Sequence, residues 1–176
     1  MNKMTKKRLW LGMLAVMLAF GMTVVGCDLL FPEEEPEKEA EINWNGHRYA
    51  LYVENTYGKS WTDARDYCKS KGGHLATITS AEEQEAVYDL VKKGAKNLYW
   101  IGGYLDGTDF VWVTEEQWKY TNWYSGEPND QGGNESYVQM YRERNGQWND
   151  GQNKGDPSAG AEYWSLKNTG FICEWD

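Results

Sequence analysis

Apolar and polar positions alternate through His47 to Val53 (HRYALYV), where Tyr49, Leu51 and Val53 fall on one side, as in a strand with one buried face. Ser60-Trp61-Thr62-Asp63 opens a helix: Ser60 can cap its first amides, and Asp63 places negative charge in its first turn. Trp61, Ala64 and Cys68 then recur at helical spacing on one face, and Gly72-Gly73 stops the run. His74 to Ile78 reads as a short extended link. Ser80 with Glu83 forms a capping box for a second helix, whose apolar stripe is Val87, Leu90 and Val91 and which ends near Lys93-Gly94. Beyond this point the pattern is short, aromatic and broken by glycine. Leu98 to Ile101, Phe110 to Val113, Tyr137 to Tyr141, Gly146 to Trp148 and Phe171 to Trp175 are candidate antiparallel strands joined by long loops. Helices first and strands afterwards make the fold class α+β.

The first residues follow another pattern. Lys3, Lys6, Lys7 and Arg8 precede the apolar run Leu9 to Val25, which is a signal-peptide layout. Val24-Val25-Gly26-Cys27 resembles a bacterial lipobox, in which Cys27 is lipidated and becomes the mature N-terminus. A single transmembrane anchor is the alternative, for which the run is short. Residues 1–26 are thus read as a lipoprotein signal peptide. Residues 27–40, which include DLLFPEEEPEKEA, read as an acidic tether rich in Pro and Glu. Residues 41–176 form one domain, and this organisation places the protein outside the cytoplasm, held to a membrane by its N-terminal lipid.

Charge excludes one class of partner. The 176-residue chain carries a formal net charge of −9 from 18 basic and 27 acidic residues. Loss of the four basic residues in the leader leaves 14 against 27 and a net charge of −13. Phosphate backbones need clustered Lys and Arg, so nucleic acid is not a partner. Cys68 and Cys173 remain once Cys27 is assigned to lipid. They are either a disulfide, favoured in an oxidising compartment, or two buried thiols. A bridge would close a loop of about 100 residues, worth at most roughly 4.7 kcal/mol. The ten Trp residues read mostly as core fillers, with room for one or two to stack on a ligand.

The chemistry concentrates in Glu127 to Asp150, EPNDQGGNESYVQMYRERNGQWND. Carboxylate and amide oxygens stand at both ends of a short strand-like run. Such hard oxygen donors suit Ca²⁺, which takes six to eight of them in an adaptable shell.

These residues, in order, resemble the C-type lectin domain: Trp61 to Cys68, Gly73-His74-Leu75-Ala76, Trp100-Ile101-Gly102, Glu127-Pro128-Asn129, Trp148-Asn149-Asp150 and Phe171-Ile172-Cys173-Glu174. The match runs from about His47 to Asp176. It implies the C-type lectin fold, with two helices flanking antiparallel sheets and a long Ca²⁺-binding upper loop. It also implies a Cys68–Cys173 bridge between the first helix and the last strand, and a cis peptide before Pro128. The implied Ca²⁺ ligands are Glu127, Asn129, Glu135, Asn149 and Asp150. Glu127, Asn129, Glu135 and Asn149 would also bind sugar, because a metal-bound carboxylate still accepts from a hydroxyl and a metal-bound amide still donates to one. In this family Glu-Pro-Asn accompanies mannose-type sugars with equatorial 3- and 4-hydroxyls, such as mannose, glucose, N-acetylglucosamine and fucose. Gln-Pro-Asp accompanies galactose.

The sequence also departs from the family. A second disulfide is missing, with Tyr137 in the place of one of its cysteines. An auxiliary Ca²⁺ site is incomplete: Asp106 and Asp130 match two ligands, but Ser136 replaces an acid. Residues 151–168, with Tyr163 and Trp164, are longer than usual between Trp-Asn-Asp and the last strand. The expected function is a Ca²⁺-dependent surface lectin or adhesin whose partner is a carbohydrate or glycoprotein. The alternative is an adhesin for protein or matrix with a structural Ca²⁺ site. No nucleophile elbow, zinc-protease motif or phosphate loop is present, so the chain does not read as an enzyme. A carboxylate pair acting as a glycosidase is disfavoured, because acids engaged by Ca²⁺ are poor proton donors.

Overall fold

A computed structural model describes residues 35–154 and 165–176. The first described element is one the sequence pattern does not announce. Strand β1 (Glu37–Trp44) begins inside the segment read as tether and pairs with β2 (His47–Val53). The turn between them is Asn45-Gly46, both at positive φ, which is the two-residue hairpin that the twist of paired strands favours. Ala40, Ile42 and Trp44 pack against the core, while Glu37 and Glu41 face water. The folded domain therefore starts before residue 41. The leader, Cys27, and Tyr163 and Trp164 of the insertion lie outside the described residues.

Helix α1 (Trp61–Ser70) buries Trp61, Ala64 and Cys68, and Ser60 caps it by accepting from the Asp63 amide. Helix α2 (Ala81–Val91) is capped by Ser80, which accepts from the Glu83 amide at 3.1 Å. The capping box is not reciprocal, however. Glu83 Oε2 accepts from the Thr79 amide instead, and its Oε1 accepts from the Tyr49 hydroxyl, because the side chain turns toward the interior.

Six further strands complete the sheet: β3 (His74–Leu75), β4 (Leu98–Asp106), β5 (Asp109–Trp112), β6 (Tyr137–Tyr141), β7 (Trp148–Gly151) and β8 (Thr169–Trp175). Its main path runs β1-β2-β8-β4-β6-β7, with β3 added on β8 and β5 on β4. The sheet is mixed and not wholly antiparallel as expected, since β4 lies parallel to β8 through Leu98–Trp100 and Thr169–Phe171. Parallel neighbours need a long connection, and the chain from β4 to β8 supplies it with the hairpins and loops that carry the site.

Two apolar clusters fill the interior. One surrounds Leu51, Val87, Leu90, Ile101, Trp112 and Trp148; the other holds Trp61, Leu75, Trp100, Phe171 and the two cysteines. Cys68 and Cys173 are bonded, with their Cα atoms 5.4 Å apart, so α1 is joined covalently to β8. Trp61, Trp100, Trp112 and Trp148 are among the largest fully buried side chains, as core fillers should be. The Trp61 indole still donates to the Ile101 carbonyl at 2.8 Å, and that of Trp100 donates to the Lys59 carbonyl at 3.0 Å. Large rings thus fill space while most keep a partner for their N–H groups; the Trp112 indole N–H is buried without one.

Candidate functional site

Two segments meet to form the site. The first is the loop of residues 113–136 between β5 and β6, which carries Glu127, Asn129 and Glu135. The second is β7, which carries Asn149 and Asp150 on the edge of the sheet. The anchor between them is Trp148. Its ring packs edge-on against Trp112, Trp118, Tyr120 and Trp123, at centroid separations of 5.6 to 5.9 Å. Its indole N–H donates to Gln84 Oε1 on α2 at 2.8 Å. Its backbone donates to the Asn122 carbonyl and accepts from the Tyr124 amide, which ties the loop to β7 just before Glu127.

Asp150 makes the second connection. Although almost wholly buried, it accepts the Asn129 amide at Oδ1 (3.1 Å) and the Asp130 amide at Oδ2 (2.8 Å). An ionised acceptor bonded to two backbone amides forms the stronger class of hydrogen bond. The Glu127–Pro128 peptide is cis, and Asp130 follows at positive φ. The loop then closes on itself. Gln131 N–H donates to both Asn129 Oδ1 and Glu135 Oε2, and Glu135 N–H donates to Asp130 Oδ1.

The electrostatics are those of an unneutralised anionic cup. Burial, followed by the hydrogen bond and the charge of Asp150, pushes the Glu127 carboxyl up to about 7, against a smaller downward pull from Arg144. Burial also raises Glu135 to about 7; the Gln131 amide opposes this, and the charges of Asp150, Glu127 and Asp130 add to it. Glu127 Oε2 is buried and has no hydrogen-bond partner. A buried polar oxygen without a partner is costly, and a hard cation would satisfy it. The donor set therefore fits Ca²⁺: oxygens alone, several of them anionic, on a loop able to adjust.

Of the five expected ligands, Glu127, Asn129, Glu135 and Asp150 converge through these bonds. Asn149 is nearby but differently engaged. Its Oδ1 accepts from the Tyr141 hydroxyl at 3.0 Å, and its Nδ2 donates to Gln139 Oε1 and to the Asp150 carbonyl. In this arrangement its amide is committed to the sheet and holds the Asp150 carbonyl, the further oxygen a cation would use. Gln139, Tyr141 and Arg144 support the site without having been anticipated. Arg144 stacks over Tyr124 and Tyr141 at 4.2 and 4.6 Å, close enough to Glu127 to lower its carboxyl. The β6–β7 register, with Gln139 opposite Asn149 and Val138 opposite Asp150, is the signal that locates Gln139. Asp106, proposed for an auxiliary site, pairs with Asp109 at the exposed β4–β5 turn, whereas Asp130 belongs to the main loop.

Comparison with known proteins agrees with this layout. The Lectin C-type domain family matches residues 57–174. A lectin of Pleurodeles waltl is 34% identical over 142 residues, spanning 77% of this chain and 81% of its own. A perlucin-like protein of Mytilus galloprovincialis is 33% identical over 112 residues, spanning 61% of this chain and 71% of its own. Among solved structures, the cow C-type carbohydrate-recognition domain of CD23, determined in the presence of GlcNAc2Man3 oligosaccharide, superposes with a TM-score of 0.59. It is 31% identical and covers 78% of this chain and 93% of its own. CEL-I from Cucumaria echinata, at 22% identity, shares the fold with a TM-score of 0.62, covering 76% of this chain and 93% of its own.

Proposed function

The chain belongs to the C-type lectin domain family, and from that premise we propose that it is a Ca²⁺-dependent lectin for mannose-type sugars with equatorial 3- and 4-hydroxyls. One observation carries the reading. Glu127 presents a buried, unpartnered carboxylate oxygen beside Asn129, on a loop that Asp150 pins to the sheet. Glu127, Asn129, Glu135 and Asp150 would hold the ion, and Asn149 would join them once its Oδ1 is released from the Tyr141 hydroxyl. Bound Ca²⁺ supplies direct coordination of two vicinal hydroxyls. The protein supplies the rest: Glu127 and Glu135 accept from those hydroxyls, and Asn129 donates to them through Nδ2. The CD23 domain, solved with a mannose-containing oligosaccharide, supports this choice of ligand class.

A glycan array run with Ca²⁺ and again with EDTA tests the proposal. The expected result is binding to mannose- or fucose-terminated glycans that chelator abolishes and free mannose competes away. The double substitution Glu127→Gln with Asn129→Asp is expected to move preference toward galactose. If Ca²⁺ raises the melting temperature yet the array stays blank in both conditions, the site is structural and the ligand is a protein.

The raised carboxyls of Glu127 and Glu135 set a pH dependence. Their folded-state values lie above the ordinary 4.5, so the metal-free fold holds protons that the unfolded chain releases. The stability they contribute is complete below about pH 4.5 and is lost as pH rises through about 7. Ca²⁺ binds the ionised forms and reverses that loss. The rise in Tm on adding Ca²⁺ is therefore expected to be small at about pH 5 and large at about pH 8. Equal rises at the two pH values in calorimetry would remove Glu127 and Glu135 from the ligand set.

The same proposal places the domain outside the cytoplasm as a lipoprotein. The charged and apolar leader ending at Cys27 supports this, as does a disulfide suited to an oxidising compartment. Metabolic labelling with palmitate is expected to mark the protein and to fail in Cys27→Ser. Equal labelling of that variant would exclude Cys27 as the anchor.

A further inference from the structure

The two histidines of this chain, His47 and His74, have no part in the sugar site, yet both meet the end of β8. His47 opens β2 and His74 opens β3, and these strands flank β8 on its two sides. In the register, Glu174 lies opposite both Tyr49 and His74. Side chains two residues apart in a strand share a face, so Glu174 and Asp176 line up together, as do His47 and Tyr49. Sheet pairing alone thus gathers two imidazoles and two carboxylates. On the path to the Ca²⁺ loop, β4 and β6 stand between β8 and β7, so the cluster is separate from that loop.

The geometry is that of donors awaiting an acceptor of their lone pairs. His47 Nδ1 lies 2.8 Å from Glu174 Oε1 and 3.2 Å from Asp176 Oδ1. One ring nitrogen carries at most one proton, so it cannot donate fully to both carboxylates. The liganding atoms of His47, Glu174 and Asp176 all lie within 4.8 Å of one another. Ligand atoms around a tetrahedral Zn²⁺, with bonds of about 2.0–2.1 Å, stand about 3.3 Å apart. His74 approaches from the other strand. Its Nδ1 lies 3.0 Å from the Leu75 carbonyl, which can only accept, so Nδ1 carries the proton. In the neutral ring that leaves the Nε2 lone pair bare. Nε2 is buried and makes no hydrogen bond, although Asp176 Oδ2 lies 3.5 Å away.

Outer contacts hold the cluster in place. The Tyr49 hydroxyl reaches Glu174 Oε1 at 3.0 Å, and the Thr77 amide donates to Glu174 Oε2 at 2.8 Å. The Leu75 carbonyl fixes the His74 tautomer. Second contacts of this kind orient the ligands of metal-binding histidines and carboxylates. Glu174 is buried at 3% side-chain exposure, while Asp176 at 73% leaves an open approach from solvent.

We propose that His47, Glu174 and Asp176, with His74 as the fourth donor, form a second metal site for a divalent transition cation of the Zn²⁺ type. Mixed imidazole and carboxylate donors suit Zn²⁺, whereas Ca²⁺ takes oxygens alone. The ion would join the starts of β2 and β3 to the end of β8, beside the Cys68–Cys173 bridge.

The test is calorimetric titration of the full chain with Zn²⁺ in saturating Ca²⁺, which keeps the loop site filled. One equivalent of Zn²⁺ is expected to bind. His74→Gln and Asp176→Asn are each expected to weaken it about tenfold or more. Visible absorption of the Co²⁺-loaded protein should show the strong bands of a four-coordinate site, and these should vanish in His47→Gln. Asp176 is exposed, so its variant should melt like the parent without zinc, and it decides the question even if His74→Gln folds poorly. Absence of Zn²⁺ uptake, or undiminished affinity in Asp176→Asn, would overturn the proposal.

Discussion

Asp150→Ala is expected to weaken Ca²⁺ binding strongly while changing the stability of the metal-free domain only modestly. The two effects separate because Asp150 acts in two opposed ways. It accepts the Asn129 and Asp130 amides, and each hydrogen bond to a charged group contributes about 1.5–3 kcal/mol. Its charge also repels Glu127 and Glu135, which is part of why both carboxyls titrate near 7. Removing it loses the bonds and relieves the repulsion. Without metal, the net destabilisation is expected to be about 1–2 kcal/mol by urea titration, below the sum of the two bonds. With Ca²⁺ bound the relief would count for little, because the ion would already neutralise the cup in the parent protein. Ca²⁺ affinity is then expected to fall by about 100-fold or more. Glu127 should titrate at lower pH in the variant, which NMR of its carboxyl carbon would follow. Ca²⁺ affinity within about threefold of the parent would place the ion elsewhere.

Trp148→Ala is expected to give the largest loss of stability, about 3–5 kcal/mol, the range for truncating a fully buried large aromatic. Trp148 touches four aromatic rings and bonds to α2, so the resulting cavity has rigid neighbours and collapses poorly. The loss carries into function as well. The backbone bonds from Trp148 to Asn122 and Tyr124 lead directly to Glu127, so Ca²⁺ affinity should fall along with stability. Trp148→Phe separates the contributions: it keeps most of the packing and leaves Gln84 Oε1 without its donor, at a cost nearer 1–3 kcal/mol. If both variants unfold at the parent's urea midpoint, the aromatic cluster does not anchor the site.

Much of this was readable locally. Ser60 and Ser80 cap their helices as placed, because capping depends on residues within one turn. The β2 alternation is equally local, and its bounds coincide with the strand. β1 is not legible in the local pattern because its outward glutamates and lysine mimic a solvated tether. The half-buried Ala40, Ile42 and Trp44, and the Asn45-Gly46 turn, become meaningful once β2 lies alongside. For β7 the local pattern points to Gly146–Trp148, whereas the strand is Trp148–Gly151. Gly146, at positive φ, belongs to the turn, and Asn149 and Asp150 are polar residues buried by partners that local pattern cannot supply.

The sequence by itself determined the two helices, most of the strands, the family resemblance and the chemical nature of the loop oxygens, because each is written in neighbouring residues or in the order of short motifs. The tertiary structure decided the parallel β4–β8 contact, the commitment of Asn149 to Tyr141 and Gln139, and the meeting of His47 with His74 at Glu174. These depend on which distant strands become neighbours. That choice is made by the burial of whole faces against one another, and it fixes which oxygens and nitrogens are left facing each other without a proton to share.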